Sequence, residues 1–187
     1  MGNLSEFIGF CIGKETDFAG CYVFAANAGT PLSDIATNGL DIVWLWFDHD
    51  PRKDFGVLQE VKATTQAELN YATNLVNDYR KLFGTDLQFT LQSRVQAIKN
   101  ELEYKVKRPD LCTRADALAG VSPASCPGIS LVPTLVHDLA SKPPVPKLLA
   151  VRTAIAALGW PTGAVIPWSV ALSDLESWLL RLACGQR

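Results

Sequence analysis

The chain has 187 residues, 48% of them apolar and 19% charged, with a formal net charge of −2. That length fits one domain, or one domain with an extension, and that apolar fraction can fill a core. The acidic balance argues against a general nucleic-acid coat protein, which would be basic, and no apolar stretch reaches the roughly 18 residues of a membrane span. The segment Met1-Gly2-Asn3-Leu4-Ser5-Glu6 lacks the basic region of a signal peptide, so a cytoplasmic protein with no membrane partner is expected. Cys11, Cys21, Cys112, Cys126 and Cys184 are odd in number and form no Cys-x-x-Cys, which predicts buried free thiols. A zinc site from Cys112, Cys126 and His137 matches no standard module spacing.

Residues 3–13 carry Leu4, Phe7, Ile8, Cys11 and Ile12 at helical spacing, with Gly13 as the stop. Residues 21–26 predict a short strand and 27–38 a turn-rich loop. The β-branched and aromatic run 40–47 predicts a strand covered on both faces. Residues 48–54 predict a polar turn and 55–63 the return strand, which completes a hairpin. Thr65-Gln66-Ala67-Glu68 reads as a capping box opening a helix whose stripe is Leu69, Ala72, Val76, Tyr79 and Phe83. A second helix is expected over about 86–107, closed by Pro109, with Leu87, Leu91, Val95, Ile98 and Leu102 inward.

Residues 108–130 read as loop. Residues 129–137 predict a strand that Pro133 demotes to an edge or splits. The proline-rich segment 141–146 predicts a stiff connector, 147–158 a helix, and 164–167 at best a short strand. The last helix is expected over 173–183, with Ser173 as N-cap and Leu175, Trp178, Leu179 and Leu182 inward.

One pattern carries chemistry. Glu60-Val61-Lys62 ends the run Val57-Leu58-Gln59, nineteen residues after Gly39-Leu40-Asp41. Residues two apart on a strand share a face, so Glu60 and Lys62 project together. The hairpin brings Asp41 to the same edge. Two carboxylates and an ammonium there make a site for Mg²⁺ (or Mn²⁺) with a charged partner for water or phosphate. The flanking Val57, Leu58 and Val61 predict a mostly buried strand, where charge is costly unless paired or metal-bound.

The pattern Gly-x-Asp followed by Glu-Val-Lys-Ala-Thr-Thr, over residues 39–65, resembles the active-site signature of the PD-(D/E)xK nuclease superfamily. Leu40 stands where many members have proline. The resemblance implies an α/β fold with a restriction-endonuclease-like core, a central mixed β-sheet flanked by helices. Residues 1–187 would form a single domain, with the core over about 3–140 and a helical C-terminal extension over about 147–187. It implies a metal-dependent endonuclease hydrolysing phosphodiester bonds of DNA, in phage defence or as a toxin domain. Asp41, Glu60 and Lys62 would be catalytic, and Asp41, Glu60 and the Val61 backbone carbonyl would hold Mg²⁺ or Mn²⁺. Lys62 would orient or deprotonate the attacking water, or stabilise the charge developing on phosphorus oxygens.

Auxiliary candidates are Glu6 on the first helix, ahead of Glu15, and Gln66 at the next helix start, with Tyr71 five residues on. Arg94, Lys99, Lys105, Lys107 and Arg108 form a basic cluster able to follow a nucleic-acid backbone, or a solvated helix face. An acidic domain of this size fits a protein partner, either a helicase or sensor subunit or an immunity protein. The other reading is a non-catalytic nuclease-fold scaffold or DNA-binding subunit of a larger complex. His49, in Asp48-His49-Asp50, and His137 read first as turn and strand-end residues.

Overall fold

The computed structural model describes residues 2–25 and 42–183, except for the side chains of residues 2–6, 25, 88, 179, 182 and 183. Within them lie strands β1 (Tyr22–Ala25), β2 (Ile42–Trp46), β3 (Phe55–Thr64), β4 (Ile129–Asp138) and β5 (Trp168–Leu172). The helices are α1 (Gly2–Glu15), α2 (Asn74–Lys81), α3 (Leu91–Tyr104), α4 (Cys112–Leu118), α5 (Val145–Ala156) and α6 (Leu175–Ala183). The strands form one mixed sheet in the order β1-β2-β3-β4-β5. β1, β2 and β3 are antiparallel neighbours, while β3, β4 and β5 run parallel.

The sheet has helices on both faces, as an α/β fold requires when both strand faces are apolar. On one face Val43, Leu45, Leu58, Leu131 and Leu135 pack with Leu75, Val76 and Tyr79 of α2, and with α3, α4 and α5. On the other, Ile42, Trp44, Val57, Val61, Val132 and Val136 pack with Ile8 of α1 and Leu175 of α6. Successive residues alternate between the two faces, so Glu60 and Lys62 lie on the α2 side with Leu58. Gly13 does not stop the first helix. An ideal Cβ on Gly9 would come within 2.6 Å of Val61 Cγ2, and one on Gly13 within 2.6 Å of Trp44 Cζ2. The two glycines let α1 lie close against β2 and β3.

Several sequence expectations move. The helix expected from residue 65 begins at Asn74, after a 3-10 turn over Asn70–Thr73. Leu69 takes a left-handed backbone (φ 54°) while fully buried, so residues 65–69 form a turn rather than a helical N-terminus. Leu87 is exposed, and α3 opens at Leu91 with Thr90 as cap, its side chain accepting from the Ser93 N–H at 3.3 Å. Residues 112–118 form α4 where a loop was expected, with Leu111, Ala115 and Leu118 buried. The connector 141–146 runs into α5, because Pro144 and Pro146 preset helical φ in its first turn.

Pro133 neither splits β4 nor places it at an edge. β4 is continuous between β3 and β5, with Pro133 opposite Glu60. Only the β5 side shows the proline: Ile166 N–H bonds Leu131 O at 2.8 Å, and the ladder resumes at Thr134 opposite Trp168. The late strand is therefore 168–172, past Pro167, and not 164–167. It adds an outer strand to the central sheet, so the C-terminal segment is part of the core rather than a helical extension. Ser173 does not cap α6; Asp174 does, through its carboxylate on Ser177 N–H and its carbonyl on Trp178 N–H, and Trp178 is half-exposed.

Candidate active site

β3 is an inner strand bearing two charged residues, and α2 determines their surroundings. Leu75, Val76 and Tyr79 bury the sheet-facing side of α2, and Asp78, three residues after Leu75, lies toward that side. The Tyr79 hydroxyl donates to Leu58 O at 3.1 Å and accepts from Glu60 N–H at 3.2 Å. This clamp fixes the height of α2 over β3 and delivers the preceding residue, Asp78, to the Glu60–Lys62 pair.

Four ionisable groups meet there. Glu60 is 0% exposed, and its carboxylate accepts from the Lys62 ammonium. The same Nζ lies 3.1 Å from Asp78 Oδ2, and Lys81 Nζ lies 2.6 Å from Asp78 Oδ1. The carboxyls of Glu60 and Asp78 are in hydrogen-bond contact, which requires one proton between them. Burial alone pushes the Asp78 carboxyl up, but hydrogen bonds with Glu60 and Lys81 and the charge and hydrogen bond of Lys62 outweigh it and hold the group below its ordinary value. Lys62 and Lys81 side chains are 22% and 38% exposed, so the cluster opens to solvent through its ammonium ends. The Lys81 ammonium also sits 5.4 Å from the centre of the Phe89 ring.

The opposite face of β3 carries an uncharged polar chain. The Trp44 indole N–H donates to Gln59 Oε1 at 2.9 Å, and Gln59 Nε2 donates to Thr134 Oγ1 at 3.0 Å. Gln59 and Thr134 are fully buried, and these bonds are what make that burial tolerable.

Of the residues expected at the site, Glu60 and Lys62 come together as the strand period requires. Asp41 lies outside the described residues; Ile42, which follows it, pairs with Gln59. Val61 lies in the β3–β4 register opposite Thr134. Glu6 is on α1, which packs over Val61 on the face away from Glu60, and its side chain is not described. Gln66 is exposed in the turn after β3, where its N–H bonds Thr64 Oγ1 at 3.1 Å. Tyr71 is half-exposed; the tyrosine that reaches β3 is Tyr79, which the sequence placed only in the core stripe.

The basic cluster is cross-paired with acids. Lys99 binds Asp116 at 2.5 Å, Lys105 lies 3.4 Å from Glu101, and Arg108 grips Asp110 through two bonds of 2.8 and 2.7 Å. Lys107 is exposed at φ 62°, and Arg94 is half-buried. His49 is exposed in a turn shaped by Asp48 and Asp50, whose carboxylates accept from backbone N–H groups two residues on. His137 Nδ1 lies 2.8 Å from Asp138 O, which can only accept, so Nδ1 carries a proton, and Nε2 lies 2.9 Å from the Ser169 hydroxyl. Cys11, Cys21, Cys112 and Cys126 are free thiols, and burial pushes Cys21 and Cys126 up.

Asp78 is the site residue that sequence reasoning missed. A signal existed: an acid on the inward side of a predicted amphipathic helix, next to its most buried aromatic residue.

No family model matches the sequence, and no curated protein matches it. Among the described residues no three of His, Cys, Asp and Glu are grouped to hold a metal ion, and no helix is long and apolar enough to cross a membrane. The oxygen donors of Glu60 and Asp78 suit Mg²⁺ or Mn²⁺ in kind. In charge the described cluster falls short, because Lys62 and Lys81 already offset whatever negative charge the two carboxyls carry. A dication held there calls for a third acid.

Proposed function

We propose that this protein is a metal-dependent endonuclease resembling the PD-(D/E)xK superfamily and acting on phosphodiester bonds of DNA. The observation that carries the reading is the joint projection of Glu60 and Lys62 from one face of an inner, mostly buried strand into a shared cluster. The order of α1, the β2–β3 hairpin and α2 supports it. Asp41 is the third acid that the charge balance calls for.

In this reading Lys62 is the group that meets the reacting phosphate. Its ammonium is held between two carboxylates, so little orientational freedom remains to be lost when substrate binds. It orients the attacking water or stabilises charge on the phosphorus oxygens. A bound Mg²⁺ or Mn²⁺ would supply Lewis acidity to a non-bridging oxygen. Glu60 cannot move far, because its backbone N–H is held by Tyr79. Phage defence or toxin action, with a helicase, sensor or immunity partner, is the context we assign to such an acidic nuclease.

The rival is a non-catalytic nuclease-fold scaffold, favoured by the self-balanced charges and full burial of Glu60. Supercoiled plasmid, linear duplex, single-stranded DNA and RNA incubated with Mg²⁺ or Mn²⁺ separate the two. Cleavage is expected to vanish with EDTA and to fall about 10²–10³-fold in Asp41→Ala and in Lys62→Ala. Cleavage indifferent to both substitutions removes the assignment. No cleavage, together with no metal-dependent rise in Tm, establishes the scaffold.

A further inference from the structure

The charged pair in β3 does not stand alone, and the residue that completes it comes from a different element. Asp78 is 16 residues beyond Lys62 in sequence, yet its two carboxylate oxygens bind two ammoniums, Oδ2 taking Lys62 at 3.1 Å and Oδ1 taking Lys81 at 2.6 Å. We propose that Asp78 is a positioning residue for the nuclease chemistry proposed above: it holds the Lys62 ammonium against Glu60 and sets the direction in which that amine meets a substrate phosphate. The inference rests on that functional reading.

Three features support the role. First, Lys62 has a long, flexible side chain, and one carboxylate would fix its ammonium at a single point only. Glu60 from the strand and Asp78 from the helix fix it from two sides. Second, Asp78 cannot drift from this position, because the next residue, Tyr79, is clamped to Leu58 O and Glu60 N–H. Helix and strand are thereby locked at the level of the ammonium. Third, Lys81 takes Oδ1 of Asp78 and leaves Oδ2 for Lys62. The arrangement is a through-space line from a fully buried carboxylate to a partly exposed ammonium, with Asp78 at its middle. A purely structural ion pair needs only one partner for each charge; here one ammonium has two carboxylates and one carboxylate has two ammoniums.

The test uses the full chain, with Asp78→Asn and Asp78→Glu variants checked for folding by circular dichroism and thermal melting. Asn keeps the size and removes the charge; Glu keeps the charge and lengthens the reach. Two readouts are taken. With a DNA substrate, Asp78→Asn is expected to lower kcat about 10- to 100-fold with KM within about threefold, and Asp78→Glu to recover part of the loss. Independently of cleavage, the rate of Lys62 modification by an amine-reactive reagent, followed by peptide mass spectrometry at fixed pH, is expected to rise several-fold in Asp78→Asn and to stay near the parent rate in Asp78→Glu.

A folded Asp78→Asn protein with parental kcat overturns the role. If the parent chain cleaves nothing, the nuclease reading fails on its own, and the labelling experiment still decides whether Asp78 holds Lys62. An unchanged Lys62 rate then overturns the positioning contact as well, while a raised rate upholds it.

Discussion

Two ion-pair networks flank the same strand, one at each end of β3. At its start Asp54 meets Arg114, whose Nε donates to Oδ2 at 2.8 Å and whose Nη2 reaches both Oδ1 and the Asp48 carbonyl, the latter at 2.5 Å. The guanidinium also lies 5.2 Å from the centre of the Phe47 ring. Toward its end, Glu60, Lys62, Asp78 and Lys81 form the cluster already described. Both networks bury a carboxylate, Asp54 at 5% side-chain exposure and Glu60 at 0%. They differ in the cation. Arg114 spends a planar fork on a single carboxylate and one carbonyl, a geometry that ties α4 to the hairpin turn. Lys62 is a point charge shared by two carboxylates, and no fork geometry consumes its donors. The first network is a fastener; the second keeps a cation in place at a solvent-facing end.

That contrast is open to direct attack. The largest effect is expected for Lys62→Ala: cleavage falls about 10²–10³-fold, and Tm falls as well because the fully buried Glu60 loses its ammonium partner. Arg114→Ala should cost stability alone. It strips the partner from a nearly buried carboxylate, so Tm falls by several degrees in calorimetry while kcat is kept. A loss of activity as large in Arg114→Ala as in Lys62→Ala would erase the distinction. Tyr79→Phe tests the clamp between α2 and β3. Removing one hydroxyl takes a partner from two backbone groups, at a cost of about 1–2 kcal/mol by urea unfolding, with a loss of activity larger than that of any surface change.

The smallest effect concerns acid. Asp78 titrates below its ordinary value of 3.8 in the folded chain. Its contribution to stability is therefore complete above that value and is lost as pH falls through the lower folded one. Urea midpoints measured from pH 6 downward should decline less steeply below about pH 4 in Asp78→Asn than in the parent. An identical acid limb in both would show that other carboxylates account for it.

The sequence made the sheet-forming strands and the faces of Glu60 and Lys62 legible, because a period of two needs only local information. It also showed the stripes of α1, α3 and α5. The misses have different causes. Leu69 adopts a left-handed backbone because burying its side chain outweighs helix propensity, a tertiary effect that no capping box reveals. α4 is only two turns long, and its stripe of Leu111, Ala115 and Leu118 sits between proline-rich segments. Asp78 was hidden for another reason: it joins the site only because Tyr79 docks α2 on β3, and a docking contact leaves no period in the chain. Pro133 misled in the opposite direction, since a missing N–H matters only on the side where the strand would have donated it.

Pro133 has one further consequence. Beside β3, β4 is paired continuously from Ile129 to Thr134 and on to His137; beside β5 it is paired only from Thr134 to Asp138, apart from the bridge at Leu131. The outermost strand thus hangs on a short zipper bounded by two prolines, Pro133 and Pro167. Native-state hydrogen exchange should show β5 and α6 opening together as one cooperative unit, at a lower free energy than β2, β3 and β4. The chain would then peel from its C-terminal edge while the strand that bears Glu60 and Lys62 stays folded.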